Sequence, residues 1–309
     1  RMSLFTHLEM APRDPILGLN ESFNADTRTS KVNLGVGVYF NEGGKIPVLQ
    51  AVKEAERQHQ QACTARGYLP IEGIAAYARA VQTLLFGADS PLLARNQVVT
   101  TQSIGGTGAL KLGADFLHSL HTSGVVAISN PSWENHRALF STAGFQVQDY
   151  RYYDAASHGV DRAGLLADLQ ALPERSVVVL HACCHNPTGV DLDSTDWAAV
   201  IEVLKARKHI PFLDIAYQGF GAGIEEDAFA VRMFADSGMN FFVSSSFSKS
   251  FSFYGERVGA LSVVTADAEE AGRVLSQVKR VIRTNYSNPP THGATIVSTV
   301  LNTPALNTL

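Results

Sequence analysis

The chain has 309 residues, 45% of them hydrophobic and 17% charged, which is enough to bury a large core in one big domain with a smaller piece attached. Its formal net charge of −4 and the absence of basic blocks argue against nucleic acid as a main partner. No apolar run reaches the roughly 18 residues a membrane span requires, so no membrane partner is expected.

The opening "RMSLFTHLEMAPRD" lacks the charged head, apolar stretch and small-residue cleavage site of a signal peptide. Three cysteines, Cys63, Cys183 and Cys184, do not make a disulfide framework and favour a reducing compartment, the cytoplasm being the simplest. "CCH" at 183–185 invites a metal reading. Adjacent cysteines do not easily reach one tetrahedral ion, and no second Cys/His pair stands at ligand spacing, so no metal is expected.

From about residue 98 onward, β-branched runs alternate with amphipathic stretches. "VVTTQS", "GVVAIS", "SVVVLHA", "IPFLDI", "NFFVSSS" and "VGALSVV" read as strands. Between or after them, "GALKLGADFLHSL", "ENHRALFSTAG", "STDWAAVIEVLKARKH" and "EEAGRVLSQVKRVIR" read as helices. This alternation predicts an α/β fold, a mostly parallel sheet with helices on both faces.

Ligands of such sheets bind beyond the carboxyl ends of the strands. Standing there in order are "IGGTG", "NPSWENH", "CCHNPTG", Asp214 with "AYQG", and "FSKS". A glycine-rich strand-to-helix turn suits a phosphate, although glycines there can serve the turn alone. Arg257 and Ser246 offer the charge and hydroxyl a phosphate takes, and Arg257 could equally pair with Glu256 or a distant acid. Asp214 follows an apolar run, so its carboxylate needs a partner. It can keep a pyridine nitrogen protonated, or merely cap a helix or join an ion pair. Tyr217 can donate its phenol, and Trp133 can stack on an aromatic ring or pack in the core. Lys249 has no charged neighbour nearer than Glu256 and follows a buried strand, where desolvation lowers its pKa and frees the amine as a nucleophile. Lysine for an imine, acid for a pyridinium, and glycines with arginine for a phosphate are jointly the needs of pyridoxal 5'-phosphate.

The motifs "VNLGVGVYFNEGGKIPVL", "YLPIEG", "GGTGALKLGADFL", "NPSWENH", "CCHNPTG", "LDIAYQGF", "SFSKSFSFYGERVG" and "IRTNYSNPP" follow one another along nearly the whole chain. In them the chain resembles the fold-type I, class I aminotransferases, in the aspartate and aromatic amino acid branch. The "YLPIEG" and "SKSFSFYGERVG" wording is similar to bacterial tyrosine (aromatic) aminotransferases.

The resemblance implies that Lys249 binds pyridoxal phosphate as an imine and then carries a proton between substrate and cofactor. Asp214 would pair with the ring nitrogen, backed by His136, and Tyr217 and Asn186 would hydrogen-bond the ring oxygen. Trp133 would stack on the ring, while Gly106, Thr107, Ser246 and Arg257 would hold the phosphate. Tyr68 would reach the neighbouring subunit's phosphate, which implies a homodimer with shared sites. Gly37 would line the substrate pocket beside Trp133 and Asn186, and Arg283 would cross the dimer to a substrate carboxylate. His181 and His185 would support these groups rather than act on substrate.

The implied reaction moves the amino group of tyrosine, phenylalanine and aspartate to a 2-oxo acid such as 2-oxoglutarate. The alternatives are a strict aspartate aminotransferase and a cofactor-binding module without turnover. By the same resemblance, residues 1–44 form an N-terminal arm and small-domain segment, and 45–309 the large cofactor-binding domain. The C-terminal small domain, with the arginine for the substrate α-carboxylate, lies outside these residues, and weak turnover is expected of the 309 residues alone. Ser246-x-x-Lys249 also has the spacing of penicillin-recognising serine enzymes, but no S-D-N-like or K-T-G-like element follows it.

Overall fold

The computed structural model describes residues 3–12 and 14–309. The chain divides into two compact units, Arg1–Pro47 and Val48–Leu309. In the first, helix α1 (Pro15–Ala25) is closed at its carboxyl end by Lys31. The Lys31 ammonium donates to the Phe23 and Asp26 carbonyls, each at 2.6 Å, where the terminal carbonyls of a helix favour positive charge. Large apolar side chains stay exposed in this unit, among them Leu4, Phe5, Leu8, Met10 and Leu34.

The second unit runs α2 (Gln50–Ala62), α3 (Ala75–Phe86), α4 (Pro91–Ala94), β1 (Val98–Ile104), α5 (Gly105–His118), β2 (Val125–Asn130) and α6 (Glu134–Thr142). Next come β3 (Gln146–Arg151), a small hairpin of β4 (Tyr153–Asp154) and β5 (Gly159–Val160), α7 (Arg162–Ala171), β6 (Val177–His181), α8 (Ser194–Ala206) and β7 (Ile210–Ile215). The unit closes with α9 (Ile224–Asp227), α10 (Phe229–Asp236), β8 (Phe241–Ser246), β9 (Val258–Val264), α11 (Ala268–Asn285), α12 (His292–Asn302) and α13 (Pro304–Asn307).

All six strands expected from the sequence form. They join β3 in one sheet of order β1-β9-β8-β7-β6-β2-β3. The pairs from β8 through β3 are parallel, while β9 runs antiparallel to both its neighbours. Strand residues alternate between two cores. Val126, Ile128, Val177, Val179, Phe212 and Phe242 face the side covered by α5, α6 and α11. Val125, Ala127, Val178, Leu180, Leu213 and Val243 face the side that also gathers α3, α8, α10 and α12. Because both faces are covered, the strands read as continuous apolar runs.

Phe212 is fully buried, a placement that contributes about 1.5–3 kcal/mol. It lies so close to α5 that a Cβ on Gly113 would sit 2.5 Å from its ring, so a glycine is required there. That contact brings α5 down onto the sheet and aims its first turn at the ends of β7 and β8.

Candidate active site

A cavity of about 190 Å³ opens beyond the carboxyl ends of the parallel strands. Gly106, Thr107, Trp133, Asn186, Asp214, Tyr217, Ser246, Lys249 and Arg257 line it, together with His181, Cys183, Cys184 and Ser248. They come from the ends of β1, β2, β6, β7 and β8 or the segments that follow them, with Arg257 just ahead of β9, where the fold class places a ligand.

One wall suits an anion. No side chain caps α5 at Ile104, so its first-turn amides, those of Gly106 and Thr107 among them, have no side-chain acceptor. Gly105 is left-handed, at φ +67°, and a Cβ there would fall 2.6 Å from an Arg257 guanidinium nitrogen. The glycine therefore serves both the turn and the close approach of the arginine. Arg257 is itself left-handed, at φ +54°. Its Nη1 donates to the Tyr254 carbonyl at 2.9 Å and to Ser248 Oγ at 3.4 Å. Glu256 is thus not its partner, and no acid pairs with it among the described residues.

The opposite wall is a directed chain of hydrogen bonds. The Asn186 amide, an obligatory donor, gives its hydrogen to His181 Nδ1 at 3.3 Å. His181 must then carry its proton on Nε2 and donate to Ser132 Oγ at 3.1 Å. The one Ser132 hydroxyl hydrogen goes to His136 Nδ1 at 2.9 Å, and His136 Nε2–H donates to Asp214 Oδ2 at 2.8 Å. Asp214 ends the chain as the acceptor. Its side chain is 12% exposed while that of His136 is fully buried. Among the described residues Asp214 caps no helix and pairs with no lysine or arginine.

His181 and His185 stand behind this wall. Burial, with the neighbouring His136 and His185 acting in the same direction, holds His181 well below the ordinary histidine value. Burial likewise brings His185 down to about 4. His185 stacks on Tyr152 with ring centroids 4.0 Å apart. Both its nitrogens are engaged, by Ser129 Oγ at 2.9 Å and Thr188 Oγ1 at 2.7 Å.

Lys249 lies between the two walls, its ammonium 5.1 Å from the centre of the Tyr217 ring. Burial lowers its pKa against the opposing pull of Asp214, and Arg257 pushes it down further. Burial, reinforced by Asp214, raises the Tyr217 phenol and keeps it a proton donor at neutral pH.

Three residues singled out from the sequence are not among those that line this cavity. Gly37 belongs to the Arg1–Pro47 unit and is exposed. Tyr68, 97% exposed, and Arg283 line a separate surface cleft with Leu69, Ile71, Ser287 and Asn288. Sequence reasoning in turn missed Ser132, the link between the two histidines, and the cavity position of Cys184. A serine in a loop carries no pattern of its own, although Ser132 sits inside the quoted "NPSWENH".

Comparison with known proteins follows the same lines. Residues 29–308 match the family model for class I and II aminotransferases. The chain is 73% identical over 308 residues to an aspartate aminotransferase of Pseudomonas aeruginosa, covering all of this chain and 77% of that one. It is 56% identical over 304 residues to an aromatic-amino-acid aminotransferase of Escherichia coli, covering 98% of this chain and 77% of the other. A solved aromatic-amino-acid aminotransferase of Burkholderia pseudomallei, covalently bound to pyridoxal phosphate, superposes with a TM-score of 0.98 at 66% identity. That match spans 99% of this chain and 77% of that chain.

Proposed function

The chain belongs to the class I and II aminotransferases, and from that premise we propose that it moves amino groups from aromatic amino acids and aspartate to 2-oxoglutarate, with pyridoxal 5'-phosphate held at Lys249. The observation that carries this reading is the convergence on one cavity of a depressed lysine, a histidine-backed aspartate and an arginine beside a glycine turn. The donor set fits the cofactor: the Gly105–Gly106 turn and Arg257 leave a cationic cradle that a Cβ would fill.

In this reading Arg257, Ser246 and the amides of Gly106 and Thr107 would hold the phosphate, Asp214 would accept from the ring nitrogen, Asn186 and Tyr217 would hydrogen-bond the ring oxygen, and Trp133 would stack on the ring. When bound, the cofactor supplies an electron sink for the pair released as a substrate Cα–H bond breaks. Lys249 Nζ takes that proton, for which its lowered pKa keeps more of the amine unprotonated near neutral pH. The His136 bond holds the Asp214 side chain in place.

The relatives favour a pocket that accepts both substrate types, since one at 73% identity is named for aspartate and a solved structure at 66% for aromatic amino acids. The exposed cleft of Tyr68 and Arg283 supports a homodimer with shared sites, in which these residues would serve a partner's cavity. The apolar side chains Leu4, Phe5, Leu8 and Met10 are of the kind a second subunit covers. Residues 1–44 act as the arm and small-domain segment, and 45–309 as the large domain. No helix among the described residues is long and apolar enough to cross a membrane. Together with three free cysteines this supports a cytoplasmic location.

The deciding experiment is the visible spectrum of the holoenzyme, followed by addition of tyrosine, phenylalanine or aspartate without an oxo acid. The imine band is expected to bleach to the pyridoxamine form with each amino acid. Retention of the band with all three would refute amino transfer from these substrates. Bleaching by aspartate alone would leave the strict aspartate enzyme.

A further inference from the structure

Nothing in the proposed chemistry uses the paired thiols of Cys183 and Cys184, although both line the cavity. Successive side chains on extended backbone point to opposite faces, which is why adjacent cysteines make a poor metal motif on paper. Cys184 departs from that rule. Its φ is +49°, in the left-handed region. Asp191 fixes the turn by accepting the amides of Cys184 and His185, each at 2.7 Å.

The turn brings the two sulfurs and a carboxylate oxygen of Asp227 within 4.8 Å of one another, the one group of three such ligands among the described residues. Asp227 is nearly fully buried and rigidly held. Its Oδ2 accepts from Gly219 at 2.8 Å and Gly221 at 2.9 Å, and its Oδ1 from Ala222 alone at 2.9 Å. One lone pair on Oδ1 therefore remains. Asp227 is the last residue of α9, the helix after β7, and the Cys183–Cys184 turn follows β6. The ligands thus come from the segments after two neighbouring strands, as a built site requires.

We infer that Cys183, Cys184 and Asp227 form a site for a thiophilic divalent cation of the zinc or cadmium kind, set in the wall of the catalytic cavity. Two thiolates and a carboxylate suit a soft cation and exclude magnesium or calcium, which take oxygen ligands. Each thiol loses its proton to solvent as its sulfur coordinates, and the ion's fourth position opens to the cavity. Bonds of about 2.0–2.3 Å bring tetrahedral ligand atoms within about 4 Å of one another. Rotation of the half-buried Cys184 side chain closes that gap. His185 takes no part, because Ser129 and Thr188 occupy its nitrogens. Cys184 Sγ lies 3.9 Å from the Tyr217 carbonyl oxygen, so an ion there crowds Tyr217 and blocks transamination.

The test is a cadmium titration of reduced holoenzyme, followed by the ultraviolet thiolate-to-metal band and by equilibrium dialysis. One cadmium per chain is expected, displaced by zinc, with activity falling in step and returning on chelation. Cys184→Ser, at a half-exposed position that tolerates the change, should weaken binding by about 100-fold or more, taking a lost ligand to cost at least as much as a lost outer-shell partner. Cys63→Ser, at the exposed cysteine at the end of α2, should leave the titration unchanged. A Cys184→Ser titration like that of the parent, or a band lost in Cys63→Ser, would overturn the site. Binding without loss of activity would retain the metal site and refute its place in the catalytic wall. The binding arm does not depend on the reading of Lys249, so its failure and that of the proposed function are separable.

Discussion

The cavity at the strand ends and the cleft of Tyr68 and Arg283 belong to the same compact unit, yet they are built in opposite ways. Behind Asp214, the chain from Asn186 through His181, Ser132 and His136 leaves one consistent direction of donation. In the cleft, Tyr68 is 97% exposed, and the hydrogen bond that Arg283 makes is to Ser287, one turn further along its own segment. Burial and pairing tune a group's charge and orientation before substrate arrives. An exposed arginine and tyrosine gain that definition only when another surface covers them. The buried cavity is thus defined within this chain, whereas in the proposed reading the cleft residues take up their roles only when a second subunit covers them.

The sharpest way to break this contrast is at its buried end. Lys249→Ala removes the proposed proton carrier while leaving the His136–Asp214 hydrogen bond in place. Single-turnover transamination should slow by about 10²–10⁴-fold, the usual worth of a positioned acid–base group. A rate within tenfold of the parent would place the proton transfer elsewhere.

At the exposed end, Arg283→Ala should cut kcat/KM for aspartate by about 2–5 kcal/mol, the loss expected when one partner of a charge pair is truncated. Phenylalanine, with no side-chain carboxylate, should change within a few-fold. Mixing Lys249→Ala subunits with Arg283→Ala subunits then separates the two ends of the comparison. If sites are shared, half the sites of the mixed dimer hold both an intact lysine and an intact arginine, and aspartate activity returns. No recovery on mixing would show that each arginine serves its own subunit.

The fold was legible in the sequence because a sheet covered on both faces demands apolar strands. "SVVVLHA" and "NFFVSSS" could hardly be anything else. β3 escaped notice for the complementary reason: "QVQDYR" lies at the sheet edge, where one flank is solvated and polar residues are admitted. The residues of the site were legible where chemistry demands a rare type in a rare setting, as with Lys249, Asp214 and the glycine turn. Ser132 and the turn at Cys184 were not. A hydroxyl that passes on a hydrogen bond, or a left-handed residue that is not glycine, depends on tertiary placement that no local pattern encodes. The cleft was legible only through resemblance, since exposed residues carry no burial signature.

The smallest effect tests whether the buried wall is as tightly determined as its hydrogen bonds suggest, and stability reads it better than activity. His185 has a folded pKa of about 4 against an ordinary 6.5, because burial between Tyr152 and the strands disfavours its charged form. Between these values the unfolded chain binds the proton and the folded chain does not, so stability falls as pH drops. The contribution is fully present above 6.5 and is lost as pH falls through about 4. It amounts to about 3 kcal/mol between pH 7 and pH 4 from this group alone. His181, depressed by the same burial, steepens the slope in the same direction. Urea unfolding of the parent should therefore weaken across this window, and His185→Gln, neutral throughout and able to keep one of the two hydrogen bonds, should show a slope shallower by one proton. The substitution also loses the stacking on Tyr152, so its midpoint should drop at pH 7; the slope, not the midpoint, is the diagnostic. An unchanged slope would mean that His185 is charged in the folded state, with the hydroxyls of Ser129 and Thr188 accepting from it.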